Sequence, residues 1–251
     1  MGSTVCQAVA SAPDMELAAA VDPAAAGSTI DLPGGPSELE IVTGVDSLGS
    51  LNIDVAVDFT VPGAAVENAV ACAGLGIHSV IGTTGIGEPE QSELREAYPE
   101  GGSLGCVVAP NFAIGAVLMM HFSEIAAPWF ETAEIIELHH DAKVDSPSGT
   151  AMLTAQRMAA ASADWAADPT KVHTLAEARG AAGPSGIRIH SVRLRGMVAH
   201  QEVLLGTTGQ SLTIRHDSYD RQSFMPGVLL AVRQVAGRPG LTVGLEALLG
   251  I

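Results

Sequence analysis

Residues 54–85, DVAVDFTVPGAAVENAVACAGLGIHSVIGTTG, decide the fold. Two apolar runs, Asp54 to Phe59 and His78 to Ile81, flank an Ala-rich stretch from Gly63 to Ala73. Strand, helix and strand in that order make a crossover whose strands lie parallel in one sheet. Each run stops on small or polar residues: Thr60-Val61-Pro62 after the first, Gly82-Thr83-Thr84-Gly85 after the second. Ligands of open α/β sheets bind at these carboxyl ends of the strands.

The alternation continues on both sides. Upstream, Val5 to Ala12 reads as a helix and Glu16 to Val21 as a strand ending at Asp22. Downstream, Glu88 to Tyr98 reads as a helix, and Leu104 to Val108 as a strand running into Ala109-Pro110-Asn111-Phe112. The stretch Ala24 to Gly49, rich in Gly, Pro and Ser, is expected to be a mobile loop. Beyond Phe112 the pattern changes. Ala113 to Phe130 is predicted helical, Thr132 to His139 a strand, and Ser148 to Ala161 a helix after a polar loop. The runs Ile187 to Arg195, Gly196 to Gly206 and Gln210 to Asp217, with glycine-containing turns, read as an antiparallel meander. A helix from Met225 to Ala236 closes the chain. The fold class is therefore α/β: a Rossmann-like parallel-sheet domain at residues 1–110 and 220–251, and an α+β domain with a mixed or antiparallel open sheet at 111–219.

Composition narrows the function. Of 251 residues, 47% are hydrophobic and only 4% aromatic, so the core is built of small and aliphatic side chains. Three scattered cysteines, Cys6, Cys72 and Cys106, make neither a disulfide framework nor a metal-ligand spacing. No apolar run is long enough to span a bilayer, and the N-terminus has no basic residue to start a signal peptide; a cytoplasmic protein is expected. The net charge is −16, with no Lys or Arg before Arg95, so a phosphate backbone would meet repulsion and nucleic acid is not an expected partner. A small anionic substrate has to be held by the second part of the chain, where the cations are.

Glu137-Leu138-His139-His140-Asp141-Ala142-Lys143-Val144-Asp145-Ser146-Pro147-Ser148-Gly149-Thr150-Ala151 is the segment richest in chemistry. Imidazole close to ammonium suits holding an anion and delivering a proton, because a cation or a desolvated setting tunes either pKa. Ser148, Gly149 and Thr150 open a helix, whose first amides collect carboxylates; Ser148 can double as the N-cap. Adjacent histidines on a strand face opposite ways, which argues against metal.

This segment resembles the signature of the dihydrodipicolinate (4-hydroxy-tetrahydrodipicolinate) reductase family. So do Val57-Asp58-Phe59-Thr60, Ile81-Gly82-Thr83-Thr84-Gly85, Ala109-Pro110-Asn111-Phe112-Ala113-Ile114-Gly115, Gly196-Met197-Val198-Ala199-His200-Gln201-Glu202-Val203, Leu212-Thr213-Ile214-Arg215-His216-Asp217-Ser218 and Phe224-Met225-Pro226-Gly227, in the family's order and with an actinobacterial cast. The resemblance implies NADH- or NADPH-dependent reduction of a cyclic unsaturated dicarboxylate in the diaminopimelate route to lysine, by a homotetramer built through the second domain. It implies His139 as proton donor, Lys143 as second acid and substrate-holding cation, and His140, Ser148, Gly149 and Thr150 at the substrate carboxylate. Gly82, Thr83 and Thr84, with Ala109, Pro110, Asn111 and Phe112, match cofactor-contacting turns, and Gly2 matches the last glycine of the pyrophosphate loop. The Ala178 to Gly183 loop resembles a mobile substrate-side loop.

Asp22, at a strand end, is placed to bind ribose hydroxyls. With no cation before Arg95 to meet a 2′-phosphate, NADH is expected to serve at least as well as NADPH. The chain enters its first helix at once, without G-x-G-x-x-G or a preceding strand, so a first strand and Gly-rich loop are expected upstream of Met1. The alternative is a non-catalytic homologue that keeps the substrate and oligomerisation domain but has lost cofactor binding. Another two-domain dehydrogenase, such as a homoserine or semialdehyde enzyme, fits the plan but not the segment from His139 to Thr150.

Overall fold

In the computed structural model, which describes residues 1–30, 32, 39–176 and 178–251, the chain forms two units: Met1–Phe112 with Arg221–Ile251, and Ala113–Asp220. The first opens with α1 (Gly2–Ser11), followed by three short strands, β1 (Ala20–Val21), β2 (Thr29–Ile30) and β3 (Leu39–Val42). These make a small sheet in the order β1-β3-β2. The crossover unit then appears as β4 (Val55–Asp58), α2 (Pro62–Gly74) and β5 (His78–Ile81), continued by α3 (Glu88–Ala97) and β6 (Gly105–Val108). Pro62 starts α2, where its missing N–H costs nothing, and Gly76, at φ +77°, lets the chain leave the helix. Ala65, Val66 and Ala69 of α2 pack on Ile81, Leu94, Tyr98, Cys106 and Val108. Tyr98 is fully buried, and its hydroxyl donates to the Ala69 carbonyl at 2.8 Å.

The second unit holds α4 (Ile114–Ala126), β7 (Thr132–His139), α5 (Gly149–Ala161), β8 (Ala181–Ala182), β9 (Arg188–Arg193), β10 (Ala199–Thr207) and β11 (Gln210–Ser218). Its sheet runs β11-β10-β7-β9-β8, with β9 parallel to β7 and β10 antiparallel to it. Side chains alternate across the pleat. Ile135, Glu137, Ile189, Gln201, Val203 and Leu205 share one buried face by register, whereas Ile136, Leu138, Val192 and Leu204 on the other stay half exposed. The chain then returns to the first unit as α6 (Met225–Val235), β12 (Gly240–Val243) and α7 (Glu246–Leu249), and β12 completes a parallel sheet, β12-β6-β5-β4. Arg233 of α6 holds Asp14, just beyond α1, through two bonds of 2.7 and 2.9 Å.

Several expectations change. The strand expected over Glu16 to Val21 shrinks to Ala20–Val21, because β3 pairs with it over two residues only. The helix expected over Ala113 to Phe130 ends at Ala126 and tightens into a 3₁₀ turn at Ala127–Trp129, where Pro128 enters. The meander is interrupted, since β7 lies between β9 and β10. The helix at Met225 does not close the chain; β12 and α7 follow it. The stretch from Ala24 to Gly49 contains β2, β3 and a 3₁₀ turn at Val45–Ser50, while residues 31 and 33–38 lie outside the described residues. Residue 177, just before the loop expected to be mobile, is likewise outside them. All three cysteines are free, and no helix among the described residues is long and apolar enough to cross a membrane.

Candidate active site

The chemical centre of the second unit is Glu137, on the buried face of β7 with 0% exposure. A carboxylate is expensive to bury unless its oxygens are bonded and its charge is matched. Here both conditions hold. Arg193 on β9 donates Nη1 to Oε2 and Nη2 to Oε1, each at 2.9 Å. The Ser148 N–H donates to Oε1 at 3.2 Å, and His139, two residues along the same face, sets Nδ1 against Oε2. Burial pushes the Glu137 carboxyl up, but bonds from Arg193, Ser191 and His139 outweigh it and leave it below the usual carboxylate range. His139 ends β7 and keeps a side chain 16% exposed. Burial lowers its pKa most; Glu137 pulls it up, while Lys143 and Arg193 push it further down.

The loop after β7 is fixed from the same centre. Arg193 Nη2 also donates to the Asp145 carbonyl at 2.6 Å, and Asp145 takes Lys143 Nζ on both carboxylate oxygens at 2.7 Å. Ser148 is the N-cap of α5: its Oγ accepts from the Ala151 N–H at 3.2 Å. Gly149 is exposed, with nothing within 4 Å of where a Cβ would stand, so the start of α5 is open.

The structure thus brings His139, Lys143 and Ser148 onto one hydrogen-bonded assembly, with Gly149 and Thr150 following directly on α5. It does not bring in the His140 ring, which is exposed just beyond the end of β7 and has no hydrogen-bond partner among the described residues. Arg193 escaped the sequence reading, and Glu137 and Asp145, though inside the segment singled out, were given no role in it. The signal for Glu137 was its spacing of two from His139, which puts both on one strand face.

In the first unit Gly82, Thr83 and Thr84 follow β5 and Ala109, Pro110, Asn111 and Phe112 follow β6, at the carboxyl ends of neighbouring parallel strands, whereas Asp22 follows β1 of the separate three-stranded sheet and Gly2 opens α1. Asp58 closes the turn after β4, accepting from the Thr60 N–H and hydroxyl at 2.7 Å each and from Asn68 at 2.8 Å. Thr83 after β5 donates its hydroxyl to the Thr60 carbonyl at 3.2 Å, and Phe112 after β6 packs its ring 5.8 Å from that of Phe59. A Cβ at Gly82 would fall 2.2 Å from the Phe59 ring, so glycine lets β5 exit against it. Gly2 opens α1 with no side-chain cap and no acid in the first turn, leaving its amides and positive end for an anion. Asp22 is exposed after β1 and accepts from the Ala24 N–H at 2.9 Å. These groups fit a dinucleotide: amides at a helix start for phosphate, a carboxylate for ribose, and small turns at the strand ends.

Fold and site define a Rossmann-like α/β protein with an inserted mixed-sheet unit that carries a histidine, a buried carboxylate and a lysine. Comparison with known proteins gives the family. The sequence model for "Dihydrodipicolinate reductase, N-terminus" matches residues 1–112, and that for "Dihydrodipicolinate reductase, C-terminus" matches residues 115–249. A 4-hydroxy-tetrahydrodipicolinate reductase of Cutibacterium acnes is 49% identical over 253 residues, covering 100% of this chain and 95% of that protein. Another, from a Mycobacterium species, is 50% identical over 220 residues, covering 85% of this chain and 90% of its own. The solved structure of a dipicolinate-bound dihydrodipicolinate reductase from Paenisporosarcina superposes with a TM-score of 0.86 at 42% identity, covering 98% of this chain and 94% of that one. The chain belongs to the dihydrodipicolinate reductase family.

Proposed function

We propose that this protein reduces 4-hydroxy-tetrahydrodipicolinate to tetrahydrodipicolinate, taking hydride from NADH or NADPH, in the diaminopimelate route to lysine. Family membership over the whole chain supports this reading, and one observation carries it to the residues: Glu137 gathers His139, the start of α5 and, through Arg193 and Asp145, Lys143. The reduced nicotinamide supplies the hydride; one proton is taken up and water leaves. His139 delivers that proton, since its side chain stays partly exposed while Nδ1 is tied to Glu137. Lys143 holds a substrate carboxylate and serves as the second acid, exchanging Asp145 for the ligand. The Gly149 and Thr150 amides take the other carboxylate end-on. Ser148 acts as the cap that keeps them in place, and His140 lines the approach. Gly2, Asp22, Gly82, Thr83, Thr84 and the segment from Ala109 to Phe112 hold the cofactor on the first unit.

The protein acts as a homotetramer through the half-exposed sheet face bearing Ile136, Leu138, Val192 and Leu204. The test of the site is replacement of His139 and Lys143, singly, by Ala. Turnover should fall by about a hundredfold or more, the scale of general acid catalysis, with NADH affinity measured by fluorescence titration unchanged. Wild-type turnover in both variants would overturn the assignment.

A further inference from the structure

We propose that Glu137 is the positioning residue of this reaction, its buried carboxylate holding the Nδ1–H of His139 so that Nε2 alone is presented to substrate. The inference rests on the reading of His139 as proton donor. An ionised carboxylate has only lone pairs to offer, so a neutral imidazole bonded to it through Nδ1 must carry its proton there. Glu137 stays ionised because Arg193 matches its charge with two bonds and the Ser148 N–H adds a third. The same carboxylate reaches the N-cap of α5 directly and the Lys143 loop through Arg193, so ring, helix start and ammonium share one point of reference.

The charges around the ring are few. Glu137 stands on its own strand, Arg193 on β9, and Lys143 with Asp145 on the loop; β10 offers Ala199 in register, and α5 is capped by the neutral Ser148. Glu137 is the group that raises the pKa of the ring against burial and two cations. Its charge is therefore what keeps an imidazolium within reach, and removing it should lower the ring pKa further.

Glu137→Gln keeps the shape, removes the charge and can turn a donor toward Nδ1. The expected result is a fall in kcat of at least about tenfold at neutral pH, the scale of a one-unit pKa displacement. KM should stay within about threefold, and the limb of the kcat–pH profile assigned to His139 should move to lower pH. Glu137→Asp should restore part of the rate with a limb near the wild-type position. A Glu137→Gln enzyme with wild-type rate and profile would overturn the proposal.

A second measurement needs no folded Glu137 variant. In wild-type protein labelled with ¹⁵N-histidine, the resonance pair lost in His139→Gln should show a protonated Nδ1 and a bare Nε2; the opposite tautomer would overturn the proposal. Full activity in His139→Gln would sink the functional reading itself. An inactive His139→Gln beside an indifferent Glu137→Gln would sink only the positioning role.

Discussion

Replacing Arg193 by Met tests how the buried carboxylate is tolerated. The substitution keeps an apolar stem of similar reach but removes both 2.9 Å bonds to Glu137 and the 2.6 Å bond to the Asp145 carbonyl. Glu137, with no exposure to water, is then left with His139, Ser191 and one backbone amide. Removing one partner of a buried ion pair costs about 3–5 kcal/mol, because the remaining charge stays desolvated. For a chain of this size that corresponds to a fall in Tm of roughly 6–20 °C, at about 2–4 °C per kcal/mol.

The pH dependence distinguishes this cause from lost packing. In the wild type the folded Glu137 carboxyl sits below its unfolded value, so its contribution is present above that value and lost as pH falls through the folded one. Without Arg193, burial dominates and the folded carboxyl moves above its unfolded value; protonation then relieves the strain. The stability gap between wild type and variant should be widest near neutrality and narrow as pH falls toward the usual carboxylate range. Urea unfolding across that interval measures it. A deficit below about 1 kcal/mol at neutral pH, the level of an exposed pair, or one that does not change with pH, would refute the reasoning.

Ser148→Ala removes the acceptor for the Ala151 N–H while leaving the Ser148 amide on Glu137; stability should fall by about 1 kcal/mol, and KM for the dicarboxylate should rise more than kcat falls. An unchanged KM would show that the start of α5 does not hold the substrate. Leu204→Asp puts a charge on the half-exposed sheet face, opposite Glu134 on β7, and light scattering should shift from the proposed homotetramer, four times 25.6 kDa, to a smaller species. A variant that keeps the wild-type mass would place the interface elsewhere. Asp22 beside an N-terminal stretch without cations should give kcat/KM for NADH at least equal to that for NADPH; a tenfold preference for NADPH would contradict it.

Much of this architecture is legible in the chain because local signals agree. β7 has the expected bounds, Thr132 to His139, with a polar loop behind it, and α5 begins one residue after its Ser cap. What escapes is non-local. Alternation shows that β9 and β10 are strands, but nothing in their pattern says that β7 slips between them. Four residues of β12 beside two glycines carry too little periodicity to stand out after a helix. Glu137 reads as an ordinary charge within a strand until Arg193, 56 residues on, is seen to meet it. The segment from His139 to Thr150 was readable because its chemistry is packed into adjacent residues, whereas the partners that hold it lie elsewhere.

The order in which these pieces leave a ribosome follows from one detail of connectivity. Strand β6 receives its outer neighbour only from residues 240–243, and Asp14 waits for Arg233, whereas every strand of the second unit has been made by residue 218. During synthesis the later-encoded unit is therefore complete first, and the nascent nucleotide-binding half must remain soluble and unfinished until the tail arrives. A chain cut short near residue 225 would display a closed insert on an open host, with β6 still an exposed edge.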